Sequence, residues 1–342
     1  MRVHAPLLFP PLSALYGAIA RTRLALYENG ALPRYQLAAP VISVGNITTG
    51  GTGKTPVVGW LATLLAREGR RVCILTRGYG RKNPNRLVVV SDGQKIQATP
   101  DEAGDEAFLL AWKLKGSAAV ISNIDRKVAA DFASNKLGIN TFILDDGFQH
   151  LRLRRDFDIV TVDATDPIGN GLLLPVGKLR EPLNSLRRAD CIILTRTEQV
   201  ENSQQVAQSL SKASEGRPVF LSEMRASRFI EVNSGGPVKT LQNPVAAFCG
   251  IGNPNAFFKQ LEIEGCDLVL KRIFSDHHSY KEKEIQIICN AARTHGARSL
   301  VTTEKDSVKL GSFNFDLPCY ALEIEISISD EPHFHQMVRG VL

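Results

Sequence analysis

The sequence predicts an α/β fold in two parts, and three observations carry that expectation. Short β-rich runs recur from residue 41 to residue 196, helical segments lie between several of them, and a shorter series of the same kind begins at residue 229. Strands that alternate with helices argue for a parallel sheet covered on both faces. The 342 residues suffice for one large core or two modest ones, and 44% hydrophobic with 22% charged residues is ordinary globular composition.

Taken in order, the chain opens with an apolar stretch from Leu7 to Ala20 that is interrupted by Pro10 and Pro11. A bilayer span needs about 20 residues, so this is no transmembrane helix. Beyond Pro11, the positions Leu12, Leu15, Tyr16, Ile19, Leu24 and Leu26 recur at roughly helical spacing, with Arg21 and Arg23 nearby. That pattern suits an interfacial helix and equally a helix docked on the core. The first β series is VISVGN at 41, RRVCILTRGYG at 70, RLVVVSD at 86, AAVIS at 118, NTFILDD at 140, DIVTVDA at 158 and CIILTR at 191. Helical VVGWLATLLAREG, DEAFLLAWKLKG and RKVAADFASNKLG are interposed. Residues 1–225 are therefore expected to form one α/β domain.

The second series is FIEVN at 229, PVAAFCGIGNP at 244, CDLVLKRIF at 266, RSLVTTEKD at 298 and CYALEIEIS at 319, with helical NAFFKQLE and KEKEIQIICNAARTHG between them. It predicts a smaller α/β domain over residues 226–330. The β-rich segments near 229 and 320 flank it, which lets them serve as a linker through which residues 331–342 return to the first domain.

The balance of 41 basic against 35 acidic side chains gives +6, which suits an acidic partner: a nucleotide, a phosphorylated substrate or an anionic membrane face. A nucleic-acid role is disfavoured, because the basic residues are dispersed and no aromatic stacking platform accompanies them. Cys73, Cys191, Cys249, Cys266, Cys289 and Cys319 stand apart with no CxxC pair. They suggest neither a zinc site nor a disulfide framework, and a reducing cytoplasm fits best.

The most informative stretch is VISVGNITTGGTGKTP, in which a run of apolar β-formers meets a glycine-rich loop ending in Lys54 and Thr55. The Walker A pattern GxxxxGK[ST] sets backbone N–H groups around phosphates, a lysine on the transferred phosphoryl group and a hydroxyl on magnesium. Here the window is Thr48, Thr49, Gly50, Gly51, Thr52, Gly53, Lys54 and Thr55, with Thr48 where a glycine is expected. Strand before and helix after are what the chemistry needs, so a P-loop NTPase-like α/β/α sandwich that binds a nucleotide is predicted. TFILDDGFQH offers Asp145 and Asp146 at the end of a buried strand, where paired acids call for a cation. A solvated DDG turn is the bland alternative. IVTVDATD, with Asp163, is a rival that lacks the paired acid.

Other polar clusters are less pointed. Asp105 and Glu106 of GDEAFLL sit at a helix start, where acids are often mere dipole partners. FSDHHSY puts Asp276, His277 and His278 in a loop, without the spacing of a metal pair; it is either a surface loop or a proton-transfer element. HLRLRRD suits an alternating exposed edge, and LLPVGKLREP, with Lys178, Arg180 and Glu181, suits an anion contact or a plain loop.

In this order, GNITTGGTGKTP, LTRGYGRK, GDEAFLLA, LDDGFQH, LLPVGKLREPL, ILTR, FCGIGNP, FSDHHSY and TTEKDSVKL resemble the tetraacyldisaccharide 4'-kinases of lipid A synthesis over most of the chain. The resemblance implies transfer of the ATP γ-phosphate to the 4'-hydroxyl of an acylated glucosamine disaccharide 1-phosphate, with Mg2+, at the cytoplasmic face of the bacterial inner membrane. An anionic membrane surface is then a partner, and no obligate protein partner is implied. It further implies two α/β/α domains with a cleft between them, joined by a β-stranded linker. Lys54 would hold the β and γ phosphates and Thr55 the magnesium. Asp105 would act as base on the sugar hydroxyl with a histidine of the DHH segment, His277, as its partner. Asp145, Asp146, Glu106 and Gln149 would complete the magnesium and active-site shell, with Arg126, Arg180 and Glu181 in support. One departure is GDEA, where proline often follows the DE pair in the family.

Rival classes leave weaker traces. A deviant Walker A ATPase needs a lysine where this chain has Thr49, and a GTPase needs [NT]KxD, whereas TTEKD has its lysine one place late. A kinase of a different small sugar remains, since the loop says nothing about the acceptor.

Overall fold

The computed structural model describes residues 9–81, 83–238 and 241–342. Leu7 of the N-terminal apolar stretch lies outside them. Helix α1 (Phe9–Glu28) precedes β1 (Val41–Gly45), and the glycine-rich loop leads into α2 (Lys54–Arg67). Then follow β2 (Val72–Thr76), β3 (Val88–Ser91), α3 (Pro100–Ala103), α4 (Asp105–Lys113), β4 (Ala118–Ser122), α5 (Arg126–Leu137), β5 (Thr141–Asp145), β6 (Phe157–Asp163), β7 (Cys191–Thr195) and α6 (Ser203–Ala213). The remainder is β8 (Val219–Glu231), β9 (Pro237–Val238), β10 (Val245–Cys249), α7 (Pro254–Ile263), β11 (Leu268–Ile273), α8 (Glu282–Thr294), β12 (Ser299–Thr303), α9 (Glu304–Ser307), β13 (Cys319–Ile328) and α10 (Glu331–Arg339).

The fold is a P-loop NTPase-like α/β/α sandwich continued into a second, smaller α/β/α layer. The strand order is β11-β10-β12-β13-β8-β7-β6-β1-β5-β2-β4-β3, with β9 beside β8. Strands β1, β5, β6 and β7 are buried at every residue, which is why they read as unbroken apolar runs. Alternate residues still serve different cores: Ile42 and Val44 pack towards α2 and α4, whereas Val41 packs towards α5. Burial of each such side chain contributes roughly 1.5–3 kcal/mol.

Strand β8 was the element least visible in the sequence, where only its end, FIEVN, stood out. Its thirteen residues alternate in burial rather than running apolar, because they form the seam between the two parts. Its first residues pair parallel with β7, and residues 222–231 pair antiparallel with β13. Strands β10, β11, β12 and β13 are parallel to one another. One antiparallel seam therefore reverses the second set of strands, and its carboxyl ends point back at the carboxyl ends of the first. In open α/β sheets ligands bind beyond those ends, and here two such edges face each other.

Helix α10 returns to the first core, with Phe334 between Trp60 and Phe220 at ring-centroid distances of 5.3 Å to each. Helix α1 runs through Pro10 and Pro11, which occupy its first turn, where proline costs nothing. It touches the 173–180 loop through Ser13 Oγ, donating to the Leu173 carbonyl (3.0 Å), and Tyr16 Oη, donating to the Arg180 carbonyl (3.1 Å). Leu12, Leu15, Ile19 and Leu26 stay between 41% and 59% exposed. Among the described residues no helix is long and apolar enough to cross a membrane.

Candidate active site

The loop after β1 turns at Gly50 (φ 110°) and Gly53 (φ 78°), values that favour glycine. Gly53 caps α2 without a side-chain hydrogen bond, so the amides of the first turn, where Lys54 and Thr55 sit, remain open to an anion. Thr48 can replace the usual first glycine because the chain there is extended: it bridges Leu179, and the Thr49 N–H donates to the Lys178 carbonyl at 2.7 Å. Thr52 Oγ1 is taken up by Asn46 and Thr161 (3.1 and 2.9 Å), its N–H donates to the Gly50 carbonyl (3.1 Å), and its carbonyl accepts from Thr195 Oγ1 (3.0 Å).

Asp163, the rival acid, is committed elsewhere. It pairs with Arg196 and accepts from Asn253 Nδ2 at 2.7 Å, while Arg196 Nη1 donates to the Gly51 carbonyl at 2.8 Å. These residues lash the loop to the turn after β7 and to the turn after β10.

Asp145 ends β5 buried. Its Oδ2 accepts from Thr76 Oγ1 at 3.1 Å, and its Oδ1 has no hydrogen-bond partner among the described residues. Burial, with Glu106 and Asp146 nearby, pushes its carboxyl up to about 7. Asp146, in the left-handed region at φ 53°, turns the other way. Both its oxygens accept from Arg180 Nη1 at 2.9 Å, and Lys54 Nζ lies 3.5 Å away. Burial would raise this carboxyl, but Lys54 and Arg180 outweigh it and hold it down at about 2. Gln149 Nε2 donates to the Asn46 carbonyl (2.9 Å) and to Glu181 Oε1 (3.0 Å), and Glu181 pairs with Arg188. Arg126 is buried with Nη2 3.4 Å from the Asp145 carbonyl; burial and Arg77 pull it down to about 10. The same cationic surroundings, after burial, hold the His150 imidazole down at about 3 and therefore neutral.

Asp105 is no exposed dipole partner. It starts α4 with only 7% exposure, and both its oxygens meet His277 Nδ1, at 2.9 and 3.0 Å. Burial pushes the carboxyl up, yet the His277 hydrogen bond and the Lys305 and Lys309 charges leave it below the usual range. His277 is brought from the turn after β11 at φ 59°, with Tyr79 against its ring at 4.7 Å. His278 faces the opposite way, stacked on Phe274 and bonded to Glu284 at 3.1 Å. The two adjacent histidines are thus separated by direction, as their spacing required.

Three participants escaped the reading of the sequence. Lys305 Nζ is 2.9 Å from Glu106 Oε1, and Lys309 Nζ is 3.5 Å from Asp105 Oδ2. Both belong to TTEKDSVKL, a motif of the resemblance to which no residue role was attached. The third is Gly252, whose added Cβ would stand 2.5 Å from the Gly51 nitrogen. Only the repeated glycines in FCGIGNP hinted at such an approach.

A cavity of about 520 Å3 is lined by Gly50–Thr55 from one edge and by Gly252, Asp276 and Lys305 from the other, with Glu106 between. An open helix N-terminus, a lysine and glycine amides fit a nucleotide's phosphates. The partnerless Asp145 Oδ1 fits a cation. Among the described residues no group of three or more His, Cys, Asp or Glu side chains is arranged to hold a metal ion.

Fold and site together define a P-loop protein with a phosphate-binding loop and a buried carboxylate–imidazole pair at the start of α4. The chain belongs to the family described as Tetraacyldisaccharide-1-P 4'-kinase (LpxK), whose model matches residues 5–342. It is 41% identical over 336 residues to the tetraacyldisaccharide 4'-kinase of Geobacter metallireducens, covering 97% of this chain and 96% of that one. The tetraacyldisaccharide 4'-kinase of Desulfotalea psychrophila is 39% identical over 323 residues, covering 94% and 92%. Among solved structures, the "apo" form of LpxK from Aquifex aeolicus in complex with ATP matches with a TM-score of 0.76 at 33% identity, covering 97% of both chains.

Proposed function

We propose that this chain transfers the γ-phosphate of ATP to the 4'-hydroxyl of tetraacyldisaccharide 1-phosphate, yielding the 4'-phosphorylated lipid A precursor. The observation that carries the reading is the Asp105–His277 contact, made across the two facing carboxyl edges beside the cavity that holds Lys54. A sugar hydroxyl is a poor nucleophile at neutral pH, so a base must take its proton as the oxygen bonds to phosphorus and the bridging oxygen leaves with ADP. Asp105 is that base. The amides of Gly50, Gly51 and Gly53, those of the first turn of α2 and the Lys54 side chain receive the phosphates and offset the charge that develops on them.

Mg2+, when bound, would offset the negative charge of the phosphates as the phosphoryl group leaves ADP for the sugar oxygen. Thr55 and Asp145 would hold it, with Asp146 and Glu106, each already facing a lysine, completing the acidic shell. Arg180 keeps Asp146 turned towards Lys54, Gln149 and Glu181 brace that arrangement, and Arg126 supports the Asp145 backbone.

Residues 1–225 and 226–330 act as two domains, hinged where β8 and β13 pair, with residues 331–342 anchored on the first. Opening separates His277 from Asp105, and closure over both substrates assembles the pair. Helix α1 brings the enzyme to its lipid at the cytoplasmic face of the inner membrane. Its exposed Leu12, Leu15 and Ile19 enter the headgroup boundary, with Arg21 and Arg23 near anionic lipid.

The test is incubation with γ-labelled ATP, magnesium and tetraacyldisaccharide 1-phosphate in detergent micelles, with Lys54→Ala alongside. Label in the lipid with the unmutated protein alone supports the reading. Free phosphate released equally with and without lipid overturns it in favour of an ATPase.

A further inference from the structure

We propose that Lys305 is a positioning residue that fixes the tautomer of His277, so that the imidazole presents an N–H to Asp105. The proposal rests on the reading of Asp105 as the base and adds to it a residue from the opposite edge of the site. Lys305 Nζ stands 3.2 Å from His277 Nε2, 2.9 Å from Glu106 Oε1 and 3.0 Å from Asp276 Oδ1. An ammonium group has three N–H donors and no lone pair. Its three donors therefore meet three acceptors, and His277 Nε2 serves as one of them with its lone pair. The ring proton then resides on Nδ1, which faces both oxygens of Asp105.

The surroundings leave the ring little choice. The His277 backbone, strained at φ 59°, is pinned by its own N–H to the Gly250 carbonyl (3.2 Å) and to Asp276 Oδ1 (3.0 Å). Tyr79 covers one face. Lys305 itself is only 15% exposed, and although burial works against its charge, Glu106, Asp105 and Asp276 more than restore it. Glu106 comes from α4, Asp276 and His277 from the turn after β11, and Lys305 from α9. One ammonium thus ties together three elements drawn from both edges.

The consequence for the reaction follows from charge. An imidazolium beside Asp105 would neutralise the base, whereas a neutral imidazole that donates one hydrogen bond orients the carboxylate and leaves it anionic. With Lys305 donating to Nε2, the ring is held as the tautomer that donates from Nδ1. Where a catalytic histidine is itself the base, the wrong tautomer costs up to about four orders of magnitude. For a partner of the base, a loss of roughly ten- to a hundredfold is expected, as for other orienting groups.

The experiment is 15N NMR of the full chain carrying labelled histidine, with the His277 signals assigned by their loss in His277→Gln. A protonated Nδ1 and a bare Nε2 are expected in the unmutated protein, a result that needs no substitution to fold. Lys305→Met should abolish that pattern and lower kcat for lipid phosphorylation about ten- to a hundredfold, with KM for ATP little changed. Lys305→Arg, also a pure donor, should keep the pattern and recover part of kcat, and thermal unfolding checks that each variant is folded. A proton on Nε2 in the unmutated protein overturns the proposal. So does Lys305→Met with the pattern or kcat intact. Full rate in Asp105→Asn would instead overturn the base assignment, while the spectrum still decides the tautomer.

Discussion

Gly252 and Gly51 meet backbone against backbone, so closely that a Cβ on Gly252 would stand 2.5 Å from the Gly51 nitrogen and 2.8 Å from Gly50 Cα. Neither neighbour is a flexible side chain, so a methyl group can be accommodated only by moving the turn after β10 off the phosphate loop. Gly252→Ala should therefore lower kcat/KM for ATP by about tenfold or more, equivalent to about 1.4 kcal/mol of transition-state stabilisation. Stability should fall by about 1–3 kcal/mol, as in other overpacked sites. Steady-state kinetics beside urea unfolding decide it, and unchanged kinetics would show that the contact is incidental.

Asp105 and His277 should behave as one unit. Asp105→Asn and His277→Ala are each expected to lower kcat by about 10²–10⁴, and the double variant should be little worse than Asp105→Asn alone. Equilibrium nucleotide binding, which involves the Lys54 loop, should change little. Losses that multiply in the double variant would mean that the two residues act separately.

Asp145 makes stability depend on pH in an unusual direction. Its folded-state carboxyl is pushed up to about 7 by burial, Glu106 and Asp146, whereas an unfolded aspartate titrates near 4. The contribution is thus fully present below pH of about 4 and is lost as pH rises through about 7. Without metal, Asp145→Asn should be more stable than the unmutated protein at pH 8, by up to about 4 kcal/mol, and the gap should close towards pH 4. Urea unfolding in chelator across that range measures it. A gap that is the same at both ends would remove the buried charge as its cause.

The proposed membrane contact of helix α1 can be tested apart from folding. Leu15→Asp with Ile19→Asp alters side chains that are 57% and 59% exposed, so the melting temperature should hardly move. Flotation with anionic vesicles should fall severalfold, and activity on vesicle-borne lipid with it. Tyr16→Phe makes the opposite kind of change, removing the hydrogen bond to the Arg180 carbonyl and about 1 kcal/mol of docking, with vesicle binding retained. If both variants float like the unmutated protein, α1 is packing only.

Much of the fold was legible because strands buried on both faces announce themselves as apolar runs, and the glycine-rich loop between VISVG and its helix allows few conformations. The paired acids of LDDGF stood out because they end such a strand, with a solvated DDG turn as the alternative; burial of Asp145 removes that alternative for the first of the two. What could not be read was direction. Nothing in FIEVN or CYALEIEIS says that β8 and β13 run antiparallel, yet that single reversal turns the second carboxyl edge towards the first. For the same reason Lys305, Lys309 and Gly252 looked ordinary. Their partners Glu106, Asp105 and Gly51 lie some 200 residues away, and their meaning appears only when the two edges are opposed. Asp163 was the rival acid that lacked a pair, and its partners Arg196 and Asn253 come from turns that only the fold brings together.

The packing of Phe334 carries a consequence for biosynthesis on the ribosome. This ring and Val338, both fully buried, fill the same core as Val57, Leu61 and Phe220, although nearly 300 residues of translation separate the first contributor from the last. Trp60 and Phe220 are left uncovered on the nascent chain until the stretch after residue 330 emerges. Long-range closure of this kind is slow, and exposed apolar surface invites association in the meantime. The polypeptide is thus expected to lean on chaperones late in its synthesis, and a product cut short before Phe334 should be recovered as aggregate rather than as a working N-terminal fragment.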